Sequence, residues 1–286
     1  MTTHSRSVIY VAARRVLLDA LDALAEHRKA VILAGAQAIY VRTGGADLDA
    51  SITPFTTDAD LAIDPRTLGP DPRIDEAMSG AGFRLGVEPG IWTTSTVIAG
   101  RQIEVPVDLL VPEALAGTGR RSARLPPHGK NAARRTPGLE AALADQSDVL
   151  ISSLEPEADG RSLLVPVAGT AALFVAKAHK VWERFADTDR GQAGRLKPKD
   201  ASDVVRLMRA ESPEQVGRRL REIADDETAG PSVRSGVEHL RELFGRRRSD
   251  GVDLAVRALD GAMPEASVRA LSTAFVAALG EAYDAA

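Results

Sequence analysis

Two hydrophobic periods follow one another along this chain. Over 8–27 the apolar residues Val11, Val16, Leu17, Leu21 and Leu24 recur near helical spacing, with Asp19, Asp22 and Glu26 on other faces, which predicts an amphipathic helix. Val31-Ile32-Leu33-Ala34 reads as a short buried strand that Gly35 ends, and Ala36 to Val41 predicts a short helix stopping at Gly44-Gly45. A polar loop with Pro54 follows. Asp58 to Asp64 then alternates acid with apolar, the period of a half-buried strand. A helix is expected over 73–81 and strands over 83–87, 92–98 and 103–111, with Pro106 pointing to an edge position or a bulge in the last. Two further strands are expected over 149–154 and 163–167, joined by a polar turn.

From Thr170 the period becomes 3.6 and stays so, predicting helices near 170–186, 198–211, 213–225, 232–245, 251–260 and 265–283. Ser212-Pro213, Pro231-Ser232 and Pro264-Glu265 supply start signals. The pattern implies an α+β fold: a core of mixed β-sheet with helices over 1–168, then an all-α helical domain over 169–286.

Composition narrows the chemistry. The 286 residues are 44% hydrophobic and 27% charged, as in ordinary globular chains. No apolar run approaches the roughly 18–20 residues of a membrane span, and Met1 to Ser7 lacks the order of a signal peptide, so a cytoplasmic chain with no membrane partner is expected. The absence of cysteine removes thiolate metal sites, disulfides and cysteine nucleophiles together. With only five histidines, none spaced i,i+3 or i,i+4, metal chemistry must rest on carboxylates, which favour hard ions such as Mg²⁺ or Mn²⁺. A net charge of −4 excludes a uniformly basic nucleic-acid binder, yet Ala114 to Leu139 holds Arg120, Arg121, Arg124, Lys130, Arg134 and Arg135 and no acid. Such a segment either neutralises an RNA backbone or is a solvated loop.

Five features carry candidate chemistry. Thr57-Asp58-Ala59-Asp60 places two carboxylates on one face of the expected strand, a pair that repels unless a cation neutralises it. Taken alone, the same pattern also decorates solvent-facing edge strands. Upstream, the strand ending at Gly35, with a helix starting at Ala36, offers unpaired N–H groups and a close backbone approach to a phosphate. Downstream, Val105-Pro106-Val107-Asp108-Leu109-Leu110 sets one acid among strand hydrophobics, a costly placement unless it faces a polar site. Lys177, Lys180 and Arg184 share a helix face in the C-terminal half, and Asp200 and Asp203 sit in the first turn of a later helix, where the dipole alone would also favour acids.

Gly35-Ala36, Asp58-x-Asp60 and a later strand Asp108 together resemble the DNA-polymerase-β-type nucleotidyltransferase superfamily, most closely its AbiEii/MenT-like toxin members. The context Phe55-Thr56-Thr57-Asp58-Ala59-Asp60 and the blocks Lys177 to Arg184 and Lys199 to Asp203 extend the resemblance over roughly 31–207. The resemblance implies a Mg²⁺-dependent transfer of NMP from an NTP to an acceptor hydroxyl, such as an RNA or tRNA 3′ end, with an antitoxin protein as a further partner. It implies Asp58, Asp60 and Asp108 as metal ligands, Asp108 also as activator of the acceptor, and Gly35, Ala36, Lys177 and Lys180 around the triphosphate. Asp200 would complete the site. Ala36 stands where superfamily members carry glycine or serine. Two alternatives stay open: transfer to a small molecule or a protein, and a non-catalytic nucleotide-binding regulatory module on the same fold.

Overall fold

The computed structural model describes residues 8–44, 56–189 and 196–285. Met1 to Ser7, Gly45, Pro54, Phe55 and the stretch 190–195 lie outside them. The chain divides into two compact units, one made of Met1–Val41, Pro54–Thr136 and Gln146–Ala168, the other of Arg42–Thr53, Pro137–Asp145 and Gly169–Ala286.

The first unit is a mixed sheet with helices. Helix α1 (Val8–Ala23) gives way to a 3₁₀ segment at Ala25–Ala30, then β1 (Val31–Ala34), α2 (Gly35–Thr43), β2 (Ala59–Ile63), α3 (Ile74–Gly80), β3 (Arg84–Leu85), β4 (Ile91–Ile98) and β5 (Arg101–Pro112). The short β6 (Arg134–Thr136) and the hairpin β7 (Gln146–Ser152) and β8 (Ser162–Ala168) complete the sheet. Its order is β3-β4-β5-β2-β1-β8-β7, with β6 pairing β5. β1 runs antiparallel to β2 and parallel to β8, and β2 runs parallel to β5. Helix α1 lies against β2, β4 and β5. Its Leu17 and Leu18 are fully buried, as are Leu33, Leu61 and Trp92 of the sheet. The apolar runs read as strands are therefore the centre of this unit's core, each large side chain removing about 1.5–3 kcal/mol worth of apolar surface from water.

Two expectations for the sheet need correction. Residues 83–87 form only the two-residue β3, because the Gly86 N–H bonds back to the Ile91 carbonyl at 2.7 Å and turns the chain. Pro106 lies on an internal strand, not at an edge, since β5 pairs β4 on one side and β2 on the other. The reason is directional. Leu109 N–H points to the β4 side, onto Gly90 O at 2.8 Å, so the odd-numbered residues of β5 serve that side. The missing N–H of Pro106 faces the other side, where β2 has not begun: its first residue, Ala59, pairs Val107.

Along β5 the neighbour changes lane. β4 pairs it up to Asp108, and β6 takes over at Leu110. Gly90 stands at this handover with φ +73°, and a Cβ there would lie 2.5 Å from both Arg134 N and Leu109 O. Its N–H bonds Asn131 O at 2.9 Å, and Trp92 Nε1 donates to Ala132 O at 2.9 Å, which together tie 131–134 to the sheet.

The second unit is helical: α4 (Ala141–Ala144), α5 (Thr170–Asp189), α6 (Pro198–Ala210), α7 (Pro213–Ile223), α8 (Gly230–Phe244), α9 (Asp250–Ala258) and α10 (Glu265–Asp284). The 3.6-residue period locates all six expected helices within a few residues. Ser212 Oγ accepts from Gln215 N–H at 3.2 Å, the cap expected before α7. α5 packs on α8, α6 on α9 and α7 on α10, and Phe174 stacks on Phe275 at 5.3 Å.

Because Gly90 combines a left-handed φ with backbone on two sides, Gly90→Ala is expected to cost on the order of 3 kcal/mol, read as a lower urea midpoint for the sheet unit.

Candidate functional site

The register of the sheet brings three of the singled-out positions together. Ala34, the residue before Gly35, pairs Asp60 across β1 and β2, and Asp60 pairs Asp108 across β2 and β5. Register neighbours on adjacent strands project to the same face, with strands about 4.8 Å apart. Two charges some 5 Å apart repel by about 3 kcal/mol at an effective dielectric near 20. Asp108 is buried and Asp60 half-buried, so water only partly relieves this.

Gly35 makes the arrangement sterically available. It is the first residue of α2, has φ +62°, and a Cβ on it would fall 1.8 Å from Asp60 Oδ2. The Asp60 carboxylate therefore occupies the space a side chain would need, beside the helix N-terminus that the sequence offered to a phosphate. Ala36, next along, is buried. Asp58 precedes β2 by one residue instead of lying on the strand, and its Oδ1 accepts from Thr56 Oγ1 at 2.6 Å.

Residues missed by sequence reasoning hold this corner in place. Gln37 Nε2 donates to Asp58 O at 3.2 Å and to Ala13 O at 3.0 Å, while its Oε1 accepts from Arg14 Nε at 2.9 Å. The buried Arg14 also donates to Ser152 O and to Tyr10 Oη, each at 3.0 Å. A signal was present: Arg14 is a cation set among Ala12, Ala13, Val16 and Leu17 on the apolar side of α1.

The basic segment contributes directly. Arg134, on β6 opposite Leu110, donates from Nη2 to Asp108 Oδ2 at 2.5 Å, and its Nε is buried with no hydrogen-bond partner. Arg121 pairs Glu88 at 3.0 Å and Arg135 pairs Glu113 at 2.9 Å, so three of the six cations are balanced by acids within the unit. Arg124 donates to Thr118 Oγ1 at 3.4 Å, and Arg120 and Lys130 are exposed with no side-chain partner among the described residues. Acids outside the segment, at 88, 108 and 113, thus break the run of positive charge between Ala114 and Leu139.

Among the described residues no group of three or more acidic or histidine side chains gathers into a ready cage for an ion. The donor set at the corner is Asp60 and Asp108. It fits a hard ion of the Mg²⁺ kind, which needs only one or two carboxylates when phosphates and water supply its other oxygens.

The second unit has its own charge cluster. Lys177 on α5 is buried and donates from Nζ to Asp200 Oδ1 and to Asp203 Oδ2, both at 2.8 Å. Lys180 approaches Asp200 at 3.1 Å and Lys199 approaches Asp203 at 3.0 Å from the rim. Arg184, the third cation of the stripe, pairs Asp187 at 3.5 Å. Lys177 and Asp200 are thus brought together as expected of one constellation, but as an internal ion pair that fixes the start of α6 against α5. Burial by itself would push the Lys177 ammonium down and the two carboxyls up. The mutual attraction wins: Lys177 is held above the ordinary lysine range, and Asp200 and Asp203 below the ordinary carboxylate range.

Compared with protein-family models and with curated proteins, the chain matches none.

The signs above fix a pH window. Depressed carboxyls contribute stability that is present above their unfolded pKa and lost as pH falls below it, and the raised lysine keeps its share throughout the neutral range. Lys177→Met, which leaves the two buried carboxylates only the rim lysines Lys180 and Lys199, is expected to cost about 3 kcal/mol at pH 7. Urea denaturation at pH 7 and pH 3 checks this, with the gap to the native chain narrowing at the lower pH.

Proposed function

We propose that this chain is a divalent-metal-dependent nucleotidyltransferase that moves NMP from an NTP to an acceptor hydroxyl. One observation carries the reading: Asp60 and Asp108 stand side by side on parallel strands, with Asp60 seated against the glycine that opens α2. That juxtaposition is costly for stability and useful for holding a cation beside a phosphate. It is the arrangement that the superfamily resemblance implies for these residues.

In this reading Asp60 and Asp108 hold Mg²⁺, with Asp58 behind them on the hydrogen bonds of Gln37 and Thr56. The ion, when bound, offsets the charge of the triphosphate and of the developing transition state. The turn at Gly35-Ala36 lets backbone N–H groups approach the phosphates. The acceptor oxygen attacks the α-phosphorus, the bond from that phosphorus to the bridging α–β oxygen breaks, and pyrophosphate leaves with the electron pair. The hydroxyl proton passes to the Asp108 carboxylate. Lys177 takes no step here, because Asp200 and Asp203 already claim its ammonium.

An RNA acceptor, as in the toxin-type relatives, rests on the exposed cations Arg120, Arg124 and Lys130. The ion pairs that neutralise Arg121, Arg134 and Arg135 favour the alternative of a small-molecule or protein acceptor. The clasp of Arg134 on Asp108 is the observation that favours a non-catalytic nucleotide-binding module.

Incubation with labelled NTPs, Mg²⁺ and total RNA is expected to give labelled RNA and pyrophosphate, with Asp60→Ala lowering the rate by more than about 100-fold. Nucleotide binding by calorimetry without pyrophosphate release would instead identify the regulatory module. If RNA is the acceptor, neutralising Arg120, Arg124 and Lys130 reduces the slope of log affinity against log salt by about 2. An unchanged slope points to a smaller acceptor.

A further inference from the structure

Asp60 and Asp108 are neighbours across β2 and β5, and Arg134 brings a positive charge to Asp108. The form of its contact is unusual. The Nη2 end of the guanidinium is bonded to Asp108, whereas Nε is buried and unpartnered. An arginine fork is suited to two parallel bonds with a carboxylate or a phosphate, and here only one edge position of that fork is used. A buried donor left without a partner is a cost that a second oxygen in the right place would remove.

The backbone below this side chain is fixed. Arg134 sits in register with Leu110, Ala123 N–H bonds Ala133 O at 3.0 Å, and the Gly90 corner leaves no room at Arg134 N. Any change in what the guanidinium touches must come from its own rotamer. Its neighbours in the basic segment are directed elsewhere, Arg121 to Glu88 and Arg135 to Glu113.

From this we propose that Arg134 is a positioning and phosphate-binding residue of the metal–nucleotide site. It competes with a divalent cation for Asp108, and once exchanged off that carboxylate it presents Nε and Nη2 to a phosphate oxygen of the nucleotide. This assignment rests on the nucleotidyltransferase reading, and it removes Arg134 from the surface offered to RNA. No covalent step is involved. The arginine and the cation exchange places on one carboxylate, and the arginine moves to the anion that arrives with the metal.

The test uses Mn²⁺ alone and Mn²⁺ with inorganic tripolyphosphate, read by electron paramagnetic resonance and calorimetry on the full chain, so that no turnover is needed. Arg134→Gln is expected to bind Mn²⁺ about tenfold more tightly than the native chain and to bind tripolyphosphate, at saturating Mn²⁺, about tenfold more weakly. Arg134→Lys keeps the charge without the fork, so its Mn²⁺ affinity stays near native while tripolyphosphate binding still falls. Circular dichroism shows whether Arg134→Gln is folded, and Arg134→Lys decides the matter if it is not. Equal or weaker Mn²⁺ binding by folded Arg134→Gln, or tripolyphosphate affinity unaffected by both variants, overturns the assignment. The parent reading fails separately, if the native chain and Arg134→Gln bind no Mn²⁺ or if Asp60→Ala binds it as well as the native chain does.

Discussion

The sheet forces two like charges into neighbouring positions, and much of the first unit is organised around that constraint. Asp60 and Asp108 share a register because β2 and β5 run parallel from Ala59 and Val107. Moving either strand by one residue would send a carboxylate to the opposite face and its apolar neighbours with it, so the core that buries Leu61 and Leu109 also enforces the repulsion. The surroundings answer it locally. Gly35 gives up a side chain to make space for Asp60, and Arg134 is carried to Asp108 by β6.

The helical unit meets a similar problem with the opposite outcome. There Asp200 and Asp203 lie one turn apart on α6, both buried, with Lys177 between them and Lys180 and Lys199 at the rim. Cations outnumber the acids, and each carboxylate has two of them within ion-pair distance. The balance is closed, which suits a lock between α5 and α6. At the sheet corner Arg134 pairs Asp108 through one end of its guanidinium and leaves its buried Nε unused. A buried donor left open in this way suits an arginine that must exchange partners.

Support behind the corner is polar and continuous. Arg14 on α1, Gln37 on α2 and the carbonyl of Asp58 form one chain of hydrogen bonds, anchored to β7 through Ser152. Arg14 and Gln37 are buried, so the bond between them is made without competition from water, and loss of either would leave the other unsatisfied.

The sequence by itself determined the elements. Period-two alternation from Asp58, the apolar run before Gly35 and the 3.6-residue period after Thr170 are local signals, set by which face of each segment must leave water, and they located β1, β2, α2 and the helices α5 to α10. The two Asp-bearing strands and the glycine turn were legible for the same reason. Only the tertiary structure decided which charges meet. That Asp108 would face Arg134, that Glu88 and Glu113 would neutralise two more of the six cations in the basic segment, that Lys177 would be sealed between Asp200 and Asp203, and that Gln37 would reach back to Asp58 all depend on pairings between residues far apart in the chain. Charge partnerships carry no periodicity. They are fixed by strand order and register, which emerge when the whole sheet forms.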